Sequence, residues 1–289
     1  MKYVTLSDMA RSVRENLHKI PHDIDFVLGV PRSGMIPATI IAEFLNVPLT
    51  DVDSFVSGAK STGGDRLRYH IDSGREKKRI LVVDDTIFRG NSNRRTRTKL
   101  EPFKNDYEFI YMAVYQEGPC HDVDFFLEDV RGYTNNFRNI VLYEWNILQH
   151  HENVMSKFIF DIDGVFCLDP PDERNLSAYQ EYIRNAVPLF TPKAEIGEII
   201  TYRLSVNEEV TRKWLADHGI KYKTLTMFPA QTWDERANSG ISPAQFKSNI
   251  YRQRSWAKLY IESEDAQARA IHMMTGKPVY CVGTNRMYS

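Results

Sequence analysis

Two stretches of apolar residues in this chain each end in a pair of carboxylates and a glycine turn. The first occupies residues 80–92 (ILVVDDTIFRGNS), and the second occupies residues 158–166 (FIFDIDGVF). A parallel α/β sheet binds ligands at the carboxyl ends of its strands, which is where these acidic groups would lie. The two stretches are too far apart in the chain to share one small sheet. The sequence therefore predicts two α/β domains, each of which handles a phosphate group.

The length and composition of the chain fit a two-domain arrangement. It has 289 residues, of which 42% are hydrophobic, so two domains of about 150 residues can each bury an ordinary core. The formal net charge of -1 gives no reason, on charge alone, to expect a nucleic-acid or membrane partner. The N-terminus does not resemble a signal peptide, and no apolar run reaches the roughly 20 residues of a membrane span.

The cysteine content indicates the redox environment of the protein. Its three cysteines, Cys120, Cys167 and Cys281, are scattered and odd in number. They fit neither a disulfide framework nor a zinc site, so a reducing cytoplasm is the expected location.

Strand and helix patterns alternate along both halves of the chain, which predicts a parallel sheet in each. In the first half, strands are expected at residues 26–30, 47–55, 80–83 and 109–115, and helices at 7–19, 36–45 and 91–102. Ser7 is the predicted N-cap of the first helix. The polar, glycine-rich residues 59–78 are predicted to form a long mobile loop.

The boundary between the domains is predicted where the periodic pattern is lost, at residues 148–156. The domains are accordingly placed at residues 1–150 and 157–289. In the second half, strands are expected at residues 196–202, 225–228, 257–262 and 278–282, and helices at 210–218 and 266–275.

The first acidic pair, Asp84 and Asp85, precedes a loop that leads into a predicted helix. The backbone N–H groups of such a loop make a cradle for an anion. Two carboxylates beside it would repel a second phosphate but suit sugar hydroxyls, so a ribose 5-phosphate fits both parts. From the residues alone, an ordinary strand-to-helix turn with two exposed acids remains the alternative.

This segment resembles the 5-phosphoribosyl 1-pyrophosphate (PRPP) signature of type I phosphoribosyltransferases. In that family a buried strand leads into two acidic residues and a short phosphate loop. Residues 29–38 (GVPRSGMIPA) resemble the pyrophosphate loop of the family, and the basic, glycine-rich residues 57–68 occupy the place of its flexible closing loop. The three matches occur in the family's order and cover residues 26–92.

The resemblance implies roles for individual residues. Arg32, Ser33 and Gly34 would bind pyrophosphate, and Asp84 and Asp85 would bind the ribose. The 5′-phosphate would be held by Thr86, Ile87, Phe88, Arg89, Gly90, Asn91 and Ser92. Phe88, Arg89 and Asn91 depart from the small residues that are common there: Arg89 is a candidate for a side-chain contact to phosphate, whereas Phe88 would crowd the loop.

The same resemblance implies the ligands and the assembly of the first half. PRPP would react together with Mg²⁺, and Arg66 and Arg68 are candidates to contact the diphosphate. A base-like small molecule would be the acceptor, bound by a hood at residues 120–146. The aromatic candidates to stack on that base are Phe137, Tyr143 and Trp145. A homodimer is also implied.

The second acidic pair is Asp161 and Asp163, which lie two residues apart at a predicted strand end. One carboxylate can attack phosphorus while the other protonates the leaving oxygen and later activates water. Gly164 permits the sharp turn that follows. A strand that ends in two acids without a catalytic role remains the alternative from these residues alone.

This pair resembles motif I of the haloacid dehalogenase (HAD) superfamily, whose phosphatases carry DxDG followed by Thr or Val. The resemblance implies that Asp161 is the nucleophile and that Asp163, Thr201 and Lys247 complete the catalytic set, with Lys258 as a substitute for Lys247. Mg²⁺ would be bound by Asp161, Asp163 and Glu262. Residues 261–265 (IESED) depart from the usual acidic motif, so Glu264 and Asp265 are alternatives to Glu262.

The fold class that follows is α/β with two Rossmann-like parallel-sheet domains, a type I phosphoribosyltransferase fold and then a HAD-like fold. The short segment between Asp163 and Thr201 leaves room for only a small cap, so that a phosphate monoester as large as a nucleotide could enter. We expect a bifunctional enzyme of nucleotide or nucleoside metabolism that transfers phosphoribose from PRPP and hydrolyses a phosphomonoester.

Two alternatives remain open. One is a regulator that senses PRPP or nucleotides, which Phe88 and Arg89 would favour. The other is a phosphatase for nucleic-acid ends with a ligand-binding first half, because residues 211–222 and Arg203 resemble the phosphatase domain of polynucleotide kinases.

Overall fold

A computed structural model describes residues 1–59, 74–119, 122–133, 140–170 and 174–289 of the chain. These form two compact units, Met1–Trp145 and Asn146–Ser289. The predicted closing loop lies mostly outside the described residues, as do Arg66, Arg68, Cys120 and Phe137.

The first unit contains a parallel sheet with helices beside it. Its strands are β1 Lys2–Val4, β2 Phe26–Gly29, β3 Leu49–Asp51, β4 Lys78–Ile87, β5 Tyr107–Gln116, β6 Phe125–Asp129 and β7 Val141–Tyr143. Its helices are α1 Leu6–Glu15, α2 Met35–Leu45, α3 Val52–Val56 and α4 Asn91–Leu100. Five strands pair in the order β3-β2-β4-β5-β6, all parallel, and β1 pairs separately with β7.

The order of these five strands determines where a ligand can bind. After β2 the chain adds β3 on one side and then returns to the other side with β4. In doubly wound sheets, ligands bind in the crevice that opens at this reversal, outside the carboxyl ends of the two strands. The segments after β2 and β4 therefore border the candidate site of the first unit.

The predicted limits of two elements in this unit are wrong, and local hydrogen bonds explain why. Thr5, rather than Ser7, caps α1, because its hydroxyl accepts from the Asp8 N–H while the Asp8 carboxylate accepts from the Thr5 N–H. The strand predicted at residues 47–55 ends at Asp51, because the Asp51 carboxylate accepts the N–H groups of Asp53 and Ser54 and begins α3.

The second unit contains another mostly parallel sheet. Its strands are β8 Phe158–Phe160, β9 Ile196–Leu204, β10 Tyr222–Phe228, β11 Leu259–Glu262, β12 Val279–Cys281 and β13 Arg286–Tyr288. Its helices are α5 Glu152–Met155, α6 Leu176–Asn185, α7 Glu208–Asp217, α8 Trp233–Asn238, α9 Pro243–Gln253 and α10 Asp265–Thr275. The strand order is β10-β9-β8-β11-β12-β13, and only the β12–β13 pairing is antiparallel.

In this second sheet the order reverses between β8 and β11. Asp161 follows β8 directly, and Glu262 is the last residue of β11. Both acids that the sequence singled out thus lie next to this reversal of the strand order.

Two strands extend past the ends predicted for them. β9 continues beyond Tyr202 to Leu204, and β4 continues beyond Val83 to Ile87. Asp84 is paired with Ala113 of β5, so both acids of the first pair are strand residues rather than loop residues. Among the described residues, no helix is long and apolar enough to cross a membrane.

Candidate active sites

The loop after β2 packs closely against the end of β4. A Cβ atom at Gly34 would lie 2.6 Å from the carbonyl oxygens of both Val30 and Val83, so only glycine allows this approach. The Pro31–Arg32 peptide bond is cis. The Arg32 side chain is exposed beside this turn. The candidate pyrophosphate residues therefore lie next to the strand that carries Asp84.

A cavity of about 260 Å³ opens at the end of β4. It is lined by Asp84, Thr86, Ile87, Phe88, Arg89, Gly90, Asn91, Ser92, Asn93 and Val123. Gly90 caps α4 with a left-handed φ of 70°. The first N–H groups of a helix lack intrahelical partners, so the start of α4 beside this cavity can bind an anion.

Arg94, in the first turn of α4, holds this loop in place through hydrogen bonds. Its Nη2 donates to the Arg89 carbonyl oxygen at 2.9 Å and to Asn91 Oδ1 at 2.6 Å, and its Nη1 donates to Asp122 Oδ2 at 2.6 Å. Phe88 is 48% exposed, and its backbone leaves no space for a side chain at Gly118. Sequence reasoning missed Arg94, because an arginine in a basic helix carries no distinguishing pattern.

Asp84 and Asp85 lie in different surroundings although they are adjacent. Asp84 borders the cavity, whereas Asp85 is 7% exposed and accepts a 2.7 Å hydrogen bond from the Trp145 indole Nε1. Burial raises the pKa of Asp84 well above its usual range, and the Asp85 charge raises it further. Burial also raises the pKa of Asp85, and the Trp145 hydrogen bond opposes that shift. Two neighbouring buried carboxyls do not both ionise readily, so one proton is favoured on the pair.

Two of the aromatic residues proposed to stack on a base, Tyr143 and Trp145, pack against each other. Tyr143 is 3% exposed, with its ring centroid 4.7 Å from that of Trp145 and 5.6 Å from that of Tyr115. The prediction that Tyr143 stacks on a base is wrong, because its ring is part of the hydrophobic core. Trp145 packs on the same core cluster.

In the second unit, Lys247 joins the two central acids. Its Nζ donates to Asp161 Oδ2 at 2.6 Å, to Glu262 Oε2 at 2.7 Å and to Gln267 Oε1 at 3.0 Å. Burial lowers the pKa of Lys247, but the Asp161 and Glu262 carboxylates outweigh it and raise the pKa. Burial raises the pKa of Asp161, and Lys247 opposes this shift. The lysine is therefore charged, and it neutralises part of the acidic centre.

Asp163 is held by a different cation. Arg203 donates from Nε to Asp163 Oδ2 at 2.9 Å and from Nη2 to Oδ1 at 2.6 Å, and the arginine side chain is fully buried. Two N–H donors of this kind hold the carboxylate in one orientation. From the sequence, Arg203 is indicated only by the resemblance to the phosphatase domain of polynucleotide kinases.

Gly164 allows the two acidic strand ends to approach. Its φ is 71°, and a Cβ there would lie 2.4 Å from both Cβ and Oγ of Ser263. The Ser263 hydroxyl donates to the Asp163 carbonyl oxygen at 3.1 Å. The turn after β8 thus packs directly on the residue that follows β11.

A cavity of about 290 Å³ lies over this centre. It is lined by Asp161, Asp163, Asp169, Pro170, Thr201, Tyr202, Arg203, Pro243, Lys247, Ser263, Glu264 and Gln267. Thr201 is fully buried in β9, and its Oγ1 accepts from the Arg203 N–H at 3.3 Å. The structure therefore brings together all four predicted catalytic residues, Asp161, Asp163, Thr201 and Lys247, although they are widely separated in the sequence.

The three candidates for the third metal-binding acid lie in different places. Glu262 is fully buried and accepts from Lys247 and from the Ser263 N–H, whereas Glu264 lines the cavity. Asp265 accepts from Thr284 and Tyr288. The described residues include no group of three His, Cys, Asp or Glu side chains arranged to hold a metal ion. The donor chemistry still fits Mg²⁺, which needs only one or two carboxylates and keeps several waters.

A comparison with protein-family models finds a match in the first unit. Residues 4–104 match the family model of the phosphoribosyl transferase domain. No curated protein matches the chain. The first half of the chain thus carries a phosphoribosyltransferase-type domain within an α/β protein.

Several solved structures also resemble the chain. The xanthine-guanine-hypoxanthine phosphoribosyltransferase of Helicobacter pylori is 17% identical and covers 50% of this chain and 93% of its own, with a TM-score of 0.35. The purine phosphoribosyltransferase of Pyrococcus horikoshii is 18% identical over 50% of this chain and 94% of its own, with a TM-score of 0.33. The orotate phosphoribosyltransferase of Aeropyrum pernix is 20% identical over 44% of this chain and 71% of its own, with a TM-score of 0.32.

Proposed function

We propose that the chain is a bifunctional enzyme. The first unit would transfer phosphoribose between PRPP and a base-like acceptor, and the second would hydrolyse a phosphomonoester by way of an aspartyl-phosphate. One observation chiefly supports the first activity: Asp84 and the start of α4 line the same cavity. These residues lie within the region that matches the phosphoribosyl transferase domain.

In the transferase mechanism, each part of the first site binds a different part of PRPP. The N–H groups at the start of α4 hold the 5′-phosphate, and the Asp84 and Asp85 carboxylates accept hydrogen bonds from the ribose hydroxyls. The turn at Arg32, Ser33 and Gly34 holds the diphosphate. Mg²⁺ carried by PRPP would neutralise the diphosphate as it leaves. Arg94 keeps the phosphate loop in place through its contacts to Arg89 and Asn91.

The phosphatase mechanism assigns one task to each acid of the second pair. An oxygen of Asp161 attacks phosphorus while the bond to the leaving oxygen breaks, and Asp163 gives that oxygen a proton. Water then attacks the aspartyl-phosphate and gives its proton back to Asp163. Lys247 and Arg203 offset the negative charge, and Thr201 lies within reach of the phosphate. Mg²⁺ would polarise the phosphoryl group, held by Asp161 with Glu264 or Asp169, which line the cavity. The predicted ligands Asp163 and Glu262 are instead paired with Arg203 and Lys247.

One panel of assays tests the whole proposal. The protein is incubated with PRPP, Mg²⁺ and a series of bases, and separately with phosphomonoesters, while pyrophosphate and phosphate release are followed. We expect base-dependent pyrophosphate release and metal-dependent phosphate release. PRPP binding without turnover would instead identify a sensor. Rapid hydrolysis of DNA or RNA end phosphates, with no activity on nucleotides, would identify an end-processing phosphatase.

A further inference from the structure

The two acids of the first site face opposite sides of β4. Leu81 and Val83 pack in the hydrophobic cluster that contains Trp145, whereas Ile80 and Val82 pack in the cluster on the other face. Side chains alternate between faces along a strand, so Asp85 continues the first face and Asp84 the second. This alternation separates the acid that borders the phosphate loop from the acid that meets Trp145.

Trp145 is held rigidly where it meets Asp85. Its ring centroid lies 4.7 Å from that of Tyr143 and 6.4 Å from that of Tyr115, and both of these tyrosines are buried. The indole N–H can only donate, so its 2.7 Å contact with Oδ2 is made best to an ionised carboxylate. A fixed donor of this kind orients the acid and favours its charged form.

We propose that Trp145 is a positioning residue for the ribose site: its indole N–H orients Asp85 and keeps it an acceptor for a ribose hydroxyl. This inference rests on the proposed transferase function. It gives the two acids different tasks, because Asp84 borders the phosphate cavity directly while Asp85 depends on the aromatic cluster behind it.

A pH dependence follows from the groups that face Asp85. Asp84 lies beside it on β4, Glu117 follows β5, and Tyr143 lies on β7. Burial raises the pKa of Asp85, and the hydrogen bonds from Trp145 and Asp84 lower it against that effect. Loss of the indole N–H therefore raises the pKa of Asp85, and ribose binding should then require a higher pH.

The contact is tested first without any ligand. In protein labelled with ¹⁵N-tryptophan, the indole resonance that is missing from Trp145→Phe identifies Trp145. We expect this resonance to shift with pH in the wild type and to lose that titration in Asp85→Asn. A Trp145 resonance that does not titrate, or that titrates equally in Asp85→Asn, overturns the proposal.

The role in binding is tested with PRPP and Mg²⁺ by calorimetry across a pH series. Trp145→Phe keeps the ring, so it should weaken PRPP binding by about 10-fold at slightly acid pH, as expected for one hydrogen bond to a charged group. This loss of PRPP affinity should become smaller as pH rises. Tyr115→Phe, which removes a hydroxyl from the same cluster that contacts Ser12, is the matched control and should bind like the wild type.

The outcomes separate the two claims. If Trp145→Phe loses the same PRPP affinity at every pH, or loses none, the positioning role is overturned while the transferase proposal stays in place. If wild-type protein fails to bind PRPP although the Trp145 resonance titrates with Asp85, the proposed transferase function has failed, and the ribose role of Trp145 falls with it.

Discussion

Lys247 is the residue on which the arrangement of the second site most depends. It is 2% exposed, and its ammonium group lies between the buried side chains of Asp161 and Glu262. Removing one member of a buried ion pair leaves an uncompensated charge, which costs more than the pair itself contributes.

Lys247→Met, which keeps the length of the side chain, should lower the free energy of unfolding of the second unit by about 3–5 kcal/mol. Urea denaturation measures this change. The control is Lys213→Met, which breaks the exposed Lys213–Asp217 pair and should cost about 0.5 kcal/mol or less. Equal costs for the two variants would contradict the charge arrangement described here.

Asp84 should make the first unit less stable as pH rises. Its pKa is raised in the folded protein by burial and by Asp85, so the folded state binds the proton more strongly than the unfolded state does. The stability from this proton is present below the unfolded pKa of about 4 and is lost as pH rises through the folded pKa. Asp84→Asn should remove that dependence and melt at a higher temperature than the wild type at pH 8. Calorimetric melting at several pH values tests this, and a lower melting temperature of the variant at pH 8 would contradict it.

At the level of elements, the helix that carries Lys247 is hidden from the sequence pattern. The buried face of α9 consists of Ala244, Lys247, Ser248 and Tyr251. These positions have helical spacing, but two of the four are polar, so the apolar period that reveals a helix is hidden. Lys247 was found only through a family resemblance, and its helix was not predicted.

The placement of Asp84 and Asp85 on opposite faces of β4 could have been predicted from the sequence. Residues 80–83 are all apolar, as expected for a strand buried on both faces. Continuing the strand by two residues sends the two acids to opposite faces. The sequence pattern instead predicts that the strand ends at Val83, because paired acids before a glycine are typical of a strand end. The partner, Trp145, could not be predicted, since it lies 60 residues away.

The turn after β8 should tolerate no side chain at Gly164. Gly164→Ala adds a clash with Ser263 to the cost of a positive φ, and it should lower both phosphatase kcat and the urea midpoint. Gly219→Ala is a matched control, because φ is 68° there and no atom lies within 4 Å of the added Cβ. It should cost about 1 kcal/mol and leave kcat unchanged. If both variants retain full activity, the close packing of Gly164 on Ser263 is not needed for phosphatase activity.

At the level of the whole molecule, two α/β units each carry their own candidate site. In both sheets the strand order reverses next to the acidic residues, and each site uses residues from its own unit. The sequence could predict this organisation because each acidic pair follows an apolar strand. It could not indicate which cation each acid meets, since Lys247 and Arg203 reach the site from distant elements.

The central claim is that one chain carries two separable activities, and a reciprocal pair of variants tests it most directly. Asp84→Asn with Asp85→Asn should abolish pyrophosphate release from PRPP and leave phosphatase activity on a small phosphate ester nearly intact. Asp161→Asn should abolish phosphate release and leave PRPP turnover intact. Parallel loss of both activities in either folded variant would contradict the account.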